Sequence, residues 1–585
     1  AQQMSDGSSF NSSWENLAQF IDDGARQYGD KTFLICYDDD KNIREEFSYQ
    51  RFNELVNQTA NFMRNVLALK RGDKVATVMF NHFYTVFIYF ACWKLGACVV
   101  PVDVDEKLDR KRYIIENSEA KAVLCWEDFL DEVKFIKQNL PALQYIVSVG
   151  SITPTLTLPP RGGGKGEGVL NYITEVERQS KTFIDDSYAN LDDDALIVYT
   201  SGTTGPPKGV ILSQYNLLAD ADGIADWHRF TENDRLMCIL PIHHVNGTIV
   251  TLVTPYYFRG SVVLNRKFKS QTFWQKIANE KVTCVSVVPT ILEFLLEANE
   301  DISKYSLSHF KWIICGAGPL LVDTAINFEK RFNIPIMHGY GLSETTCYSC
   351  FLPVDLPREE HTYWLSEFKF PSIGVPIRHN EMSIIDEHGK EVGELERGEI
   401  VIRGRNVVKG YFKRPDANED AFKFGWFKSG DEGFYKLDAM GMKPPPQSSP
   451  SKGEGRVGVR KFFFITGRIK ELIIRGGFNI SPFEIDEALK SHPKVKFGMA
   501  IPFDNRYYGE EVAAYIVPKD GVGVSEDEIL EYCQKKLDFR KQPKVIVFGV
   551  DVPYTSTGKP KRLELKKNLQ NKLLEYRDVQ FKKGL

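Results

Sequence analysis

Along roughly the first 440 residues, short apolar runs rich in β-branched and aromatic side chains alternate with longer helical stretches. Val75–Phe80 (VATVMF) predicts a strand, Asn81 a helix cap, and the residues onward to Trp93 an apolar helix. Cys98–Val102 (CVVPV) predicts the next buried strand, so the three together read as a βαβ unit of a parallel sheet. Ala122–Trp126, Leu196–Thr200, Thr283–Val288 and Trp312–Cys315 are further runs of the same kind. Strands apolar on both faces need helices on both faces, which predicts a doubly wound α/β architecture. From Ser372 the texture changes. Ile384–Asp386, Gly398–Arg403 and Gly425–Phe427 read as short strands between glycine turns, a small β region. After Gly467 comes a compact α+β stretch ending in a lysine-rich helix. The expected organisation is a large N-terminal domain over residues 1–467, a hinge at 468–470 and a small mobile C-terminal α+β domain over 471–585.

Size and charge narrow the function. A chain of 585 residues corresponds to about four structural units at roughly 150 residues each. Lys and Arg number 74 and Asp and Glu 78, so the net charge is 74 − 78 = −4, which argues against a nucleic-acid binder working through bulk charge. The 43% hydrophobic and 26% charged fractions exclude wholesale disorder. Val75–Trp93 carries no formal charge and invites a membrane reading, but it divides into strand, cap and helix, so no transmembrane segment is expected. The ten cysteines are scattered except for Cys347 and Cys350, which alone make half a zinc site and read as buried thiols. This distribution suits a reducing compartment, and the polar stretch Ala1–Asn11 lacks the apolar core of a signal peptide, so a cytoplasmic protein is expected.

Two segments break the pattern. Residues 153–168 (TPTLTLPPRGGGKGEG) and 444–456 (PPPQSSPSKGEGR) each join a proline cluster to a KGEG string. Neither can bury a face, so both are expected as surface insertions without a catalytic role. The first fits neither the GxGxxG nor the GxxxxGK spacing of a phosphate loop.

The strongest chemical signal is Tyr199–Val210 (YTSGTTGPPKGV), directly after the apolar strand beginning at Leu196. Glycines let the backbone approach phosphate oxygens, hydroxyls and N–H groups donate to them, and Lys208 adds positive charge. Further segments follow: Pro241–Gly247 (PIHHVNG), Gly316–Leu320 (GAGPL), Tyr340–Thr346 (YGLSETT), Ser429–Asp431 (SGD), Gly467–Glu471 (GRIKE) with Gly476 and Gly477, and Thr555–Lys559 (TSTGK). These seven motifs, in this order, resemble those of the adenylate-forming superfamily, which includes acyl-CoA synthetases, stand-alone adenylation enzymes and luciferases. The resemblance covers the chain apart from the two insertions.

The resemblance implies a two-step chemistry. A carboxylate attacks the α-phosphate of ATP to give acyl-AMP and pyrophosphate, and a thiol then displaces AMP. It implies that Thr200, Ser201, Gly202, Thr203, Thr204, Gly205 and Lys208 hold the pyrophosphate portion, and that Gly316, Ala317, Gly318, Tyr340 and Gly341 lie against adenine. Ser343 stands where the family usually has Thr and keeps the hydroxyl. Glu344 would hold Mg²⁺, a hard cation suited to carboxylate and phosphate oxygens. Asp431 and Arg468 would face the ribose, Lys470 would be the hinge, and Gly476 and Gly477 would border the thiol channel. Lys559 is the expected catalytic cation, because carboxylate and phosphate repel as they approach and a charge between them offsets that. His244 is expected at the mouth of the acyl pocket, while His243 receives no role.

The expected pocket draws on 244–247, 313–316 and 338–346, mostly apolar or small residues with no Asp placed to grip an amine. An aliphatic or aromatic acid is therefore favoured over an amino acid, with a fatty or other aliphatic acid the first expectation. Little chain follows Lys559, so the thiol acceptor is expected to be separate: coenzyme A, or a carrier protein in trans. The readings are an acyl-CoA synthetase, an adenylation enzyme loading a separate carrier, and a non-catalytic ATP-binding relative. Lys208, Glu344, Asp431, Arg468 and Lys559 together speak against the last.

Overall fold

The computed structural model describes residues 10–150, 168–186, 188–200, 206–438, 459–555 and 558–581. Both proline–KGEG segments lie outside the described residues, save Gly168.

Three sheets organise the chain. The first has seven strands in the order 169–171, 145–149, 122–126, 74–78, 98–102, 194–200 and 208–213. All neighbours are parallel except the last pair. Lys74–Val78 and Cys98–Val102 pair in parallel around the helix Phe83–Lys94, as the apolar pattern predicts. The helix cap differs. His82, not Asn81, caps that helix, its Nδ1 accepting from the Tyr84 N–H at 3.2 Å. Asn81 reaches across to the second sheet, donating to the Leu240 and Asn265 carbonyls at 2.9 and 3.1 Å and accepting from the Ile242 N–H at 2.8 Å. A long-range backbone partner outcompetes the local cap, and the start of the 241–247 segment is thereby fixed.

The second sheet has thirteen strands, with Ile43–Ser48 as an antiparallel edge beside Thr32–Asp38. Six parallel strands, Thr32–Asp38, Ser261–Asn265, Arg235–Cys238, Cys284–Val287, Trp312–Cys315 and Ile336–Tyr340, form its α/β part. The expected small β region is not separate: Cys350–Phe351, Ser372–Pro376, Lys461–Arg468, Phe427–Leu437, Gly398–Gly404 and Asn380–Ile385 continue the same sheet in antiparallel pairing. Gly425 ends a 3₁₀ turn rather than starting a strand, and Phe427 opens the strand. The hairpin 427–437/461–468 closes where the second insertion leaves it: the Asp438 N–H donates to the Arg460 carbonyl, and Arg460 Nη2 to Asp438 Oδ2 at 2.8 Å.

The third sheet belongs to the C-terminal unit, with strands 478–480, 473–475, 509–518 and 495–505, and 545–548 alongside 509–518. It carries its own apolar core around Ile485, Leu489, Val512 and Ile516. The second sheet ends at Arg468 and the third begins at Ile473, with one exposed 3₁₀ turn, Ile469–Glu471, between. All ten cysteines, Cys347 and Cys350 included, are buried free thiols. Among the described residues no helix is long and apolar enough to cross a membrane.

Candidate active site

Strand Asp194–Thr200 turns back antiparallel into Lys208–Ser213, with Thr200 opposite Lys208. The glycine-rich string therefore joins two hydrogen-bonded strands. Ser201, Gly202, Thr203, Thr204 and Gly205 lie outside the described residues. Lys208 Nζ sits 4.8 Å from the centre of the Tyr411 ring, and the Tyr411 hydroxyl donates to Glu344 Oε1 at 2.8 Å. Lys208, Tyr411 and Glu344 thus tie the loop to the 340–346 segment. Tyr411 is a contact that sequence reading misses. It lies 67 positions from Glu344, and an antiparallel bridge from Val210 brings it in.

The 340–346 segment is shaped by close approach. A Cβ on Gly341 would lie 1.8 Å from the Cys347 carbonyl oxygen, so only glycine fits. Ser343 opens a single 3₁₀ turn, Ser343–Thr345, and half-buried Glu344 sits on it. Gly316, Ala317 and Gly318 follow the parallel strand Trp312–Cys315. A Cβ on Gly318 would stand 3.9 Å from Lys559 Cγ, so this loop and the C-terminal lysine face each other.

Asp431 and Arg468 are register partners on neighbouring strands, Arg468 Nε lying 3.7 Å from Asp431 Oδ1. Tyr340 donates its hydroxyl to Asp431 Oδ2 at 2.6 Å. Asp431 is buried; desolvation raises its pKa, while Arg468, Tyr340 and Lys559 oppose that shift. The Tyr340 ring itself packs in the β-region core, and burial raises its phenol well above the ordinary range.

Lys559 comes from the other unit. Its turn is held by the Gly558 N–H donating to the Thr555 carbonyl, and by Thr290 of the N-terminal part donating to the Gly558 carbonyl at 2.5 Å. Desolvation, then repulsion from Arg468, lowers Lys559 to about 8, with Asp431, Glu471 and Cys347 opposing. His244 also feels Lys559. Desolvation and the neighbouring His243 push it well below its ordinary value, so it is neutral at pH 7. His243, for which the motifs imply no role, has its Nε2 3.4 Å from Asp103 Oδ2, and donor atoms of Asp103, His243 and His244 lie within 4.8 Å of one another. Two imidazoles and one carboxylate suit a transition metal rather than Mg²⁺, whose oxygen preference matches Glu344 and phosphate.

Lys470 is exposed in the turn between the sheets. Gly476 and Gly477 form a hairpin tip with left-handed backbones (φ 56° and 82°) and open space beside them. The C-terminal unit is docked in part through Glu487, whose two carboxylate oxygens accept from the Val322 and Asp323 N–H groups at 2.9 and 2.8 Å, and in part through ion pairs such as Lys490 with Glu293. These donors open helix Val322–Phe332, whose positive end suits a carboxylate.

Lys208 beside Tyr411 and Glu344, and Lys559 with Arg468 beside the buried Asp431, bring cations to the motif segments, a charge pattern suited to a polyanion. Residues 21–412 match the family described as AMP-binding enzyme, and residues 484–559 match the AMP-binding enzyme C-terminal domain. The chain belongs to this family: it is an adenylate-forming enzyme of the acyl-CoA synthetase type, an AMP-forming acid–thiol ligase. It is 28% identical over 550 residues to the oxalate–CoA ligase of Arabidopsis thaliana, covering 94% of this chain and 97% of the relative. It is 29% identical over 555 residues to the sulfoacetate–CoA ligase of Cupriavidus necator, covering 94% and 97%. ATP-bound MatB from Rhodopseudomonas palustris superposes with a TM-score of 0.79 at 26% identity, covering 95% of this chain and 99% of that one.

Proposed function

We infer that the protein joins a small carboxylic acid to coenzyme A with cleavage of ATP to AMP and pyrophosphate. In the first half, a carboxylate oxygen of the acid attacks the α-phosphorus and the bond to pyrophosphate breaks. Lys559 stands between the two anions and offsets their repulsion, Lys208 and the 200–205 loop take the departing pyrophosphate, and Asp431 with Arg468 orients the ribose. Glu344 and phosphate oxygens would hold Mg²⁺, which when bound neutralises phosphate charge. In the second half, the CoA sulfur attacks the acyl carbon, the bond to the AMP oxygen breaks, and the thiol proton passes to solvent. For this the C-terminal domain turns about Lys470, withdraws Lys559 and brings Gly476 and Gly477 to the path of the thiol.

The observation that supports this reading best is Lys559. A lysine from a separately folded unit is lodged against Gly318, between Arg468 and the His244 side, where the attacking carboxylate has to lie. The relatives named for oxalate and sulfoacetate use CoA as acceptor, which favours CoA over a carrier protein here. The test is pyrophosphate release across a panel of acids, with and without CoA, together with detection of the thioester. CoA-dependent turnover to an acyl-CoA is expected. A stable acyl-AMP that passes to a carrier protein and not to CoA would overturn the acceptor.

A further inference from the structure

Asp103, His243 and His244 are brought together from two sheets. Asp103 directly follows the strand Cys98–Val102 of the first sheet, and the two histidines follow Arg235–Cys238 of the second. All three thus lie beyond the carboxyl ends of parallel strands, where α/β sheets present ligand-binding groups. Their backbones are fixed. Asn81 accepts from the Ile242 N–H at 2.8 Å, just before His243. The His244 N–H donates to the Pro241 carbonyl at 3.2 Å, and its carbonyl accepts from the Thr248 N–H at 3.0 Å. The Asp105 N–H donates to Asp103 Oδ1 at 3.0 Å, which orients the carboxylate with Oδ2 toward His243.

The spacing suits a tetrahedral ion. Three donor atoms within 4.8 Å of one another share a centre no further than about 2.8 Å from each, and small side-chain rotations close that to the about 2.0–2.1 Å of zinc bonds. Tetrahedral bonds of that length set neighbouring ligands about 3.3 Å apart, and His243 Nε2 already lies 3.4 Å from Asp103 Oδ2. An Asp–His ion pair accounts for two of these residues but not for the second imidazole beside them. The His243 and Asp103 side chains keep 11% and 15% of their surface exposed, so an ion can arrive from solvent and a water can complete its shell. Two imidazoles and a carboxylate take Zn²⁺ in preference to Mg²⁺ or Ca²⁺. The charge of Lys559 also reaches His244. A dication held by His244 therefore repels Lys559, and the two compete for the same neighbourhood.

We propose that Asp103, His243 and His244 form a Zn²⁺ site, and that the bound ion slows adenylation by opposing the entry of Lys559 beside His244. The site stands on its three donors alone. The inhibition rests on the reading of Lys559 as the cation of the first half-reaction.

The test titrates the full chain, freed of metal with a chelator, with Zn²⁺ and separately with Co²⁺ before any nucleotide is added. One Zn²⁺ per chain is expected, displaced by neither Mg²⁺ nor Ca²⁺, and Co²⁺ should show the intense visible bands of a tetrahedral site. That spectrum needs no variant, so a substitution that misfolds leaves the test standing. His243→Ala and Asp103→Asn should each weaken zinc binding by about tenfold or more. In pyrophosphate release at fixed Mg–ATP and buffered zinc, the half-inhibiting Zn²⁺ concentration should rise by the same factor in both variants, with zinc-free rates near the parent's. A parent that takes up no stoichiometric zinc overturns the site, and so does zinc that both variants bind as tightly. Zinc that occupies the site without slowing pyrophosphate release overturns the inhibition. A parent that releases no pyrophosphate from any acid before zinc is added fails the ligase reading instead, and the titrations still decide the site.

Discussion

Replacing Lys559 with alanine removes a cation that the C-terminal unit carries against the Gly316–Gly318 loop. At an effective dielectric of about 20, unit charges about 4 Å apart interact by about 4 kcal/mol. Loss of a preorganised contact of this kind typically costs about 2.7–4 kcal/mol, or roughly 10²–10³ in rate. The structure adds a pH signature. With Lys559 lowered to about 8, its charge is present below pH 7 and lost as pH rises through 8, from about 0.9 charged at pH 7 to about 0.1 at pH 9. The kcat/KM of adenylation reports groups in the free enzyme and should fall roughly tenfold across that interval. A lysine near its ordinary value would leave the profile flat. Pyrophosphate release in Lys559→Ala should therefore be about 10²–10³ slower at pH 7 and lack the alkaline limb. Given presynthesised acyl-AMP and CoA, the same variant should form thioester near the parent rate. A flat parent profile to pH 9 would refute the lowered pKa, an unchanged pyrophosphate rate in Lys559→Ala would refute the electrostatic argument, and equal loss in both half-reactions would refute a role confined to the first.

Three further outcomes are expected. Lys470→Pro fixes φ near about −65° at the exposed turn between the sheets and should slow thioester formation by roughly tenfold or more while adenylation changes little, as single-turnover assays of each half would read. Deleting Pro444–Arg456 should leave adenylation within a few-fold of the parent, because the 427–437/461–468 hairpin closes at Asp438 and Arg460; a melting temperature and a pyrophosphate assay check this. Glu487→Ala removes two hydrogen bonds to the start of helix Val322–Phe332, made by a carboxyl that burial raises to about 7, and should lower adenylation by about tenfold without slowing thioester formation from acyl-AMP, which a merely destabilising change would not spare.

Much of the α/β frame is legible in the sequence because its strands are apolar on both faces. Ala122–Trp126 and Trp312–Cys315 have the same bounds as runs and as strands, since each is bounded by polar or turn residues. The motif residues are legible because glycine-, hydroxyl- and lysine-rich strings stay contiguous in the chain. What pairs across sequence distance is not. Asn81 looks like a cap, but its side chain is claimed by Leu240, Ile242 and Asn265, more than 150 positions away. Tyr411 belongs to no motif, and only its contacts with Glu344 and Lys208 tie it to the site. The β region has the short-strand texture of a separate module. Its continuity with the parallel sheet depends on the pairing of Ser372–Pro376 with Cys350–Phe351, a register that periodicity does not carry.

An enzyme that handles a thiol substrate works among free thiols and their disulfides, and its own cysteines are open to exchange with them. Here all ten cysteines are buried, and desolvation pushes Cys36, Cys125, Cys238 and Cys533 up to about 12. At pH 7 a thiol with a pKa of about 12 is ionised to about one part in 10⁵, and only the thiolate attacks a disulfide. Cys347, nearest to Lys559, is raised as well, and the lysine's opposing charge does not reverse that shift. Oxidised coenzyme A thus finds neither an accessible sulfur nor a nucleophilic one among these cysteines. The protein can meet its acceptor in both redox forms without being trapped as a mixed disulfide, and its activity should track the supply of reduced CoA rather than any oxidation of the enzyme.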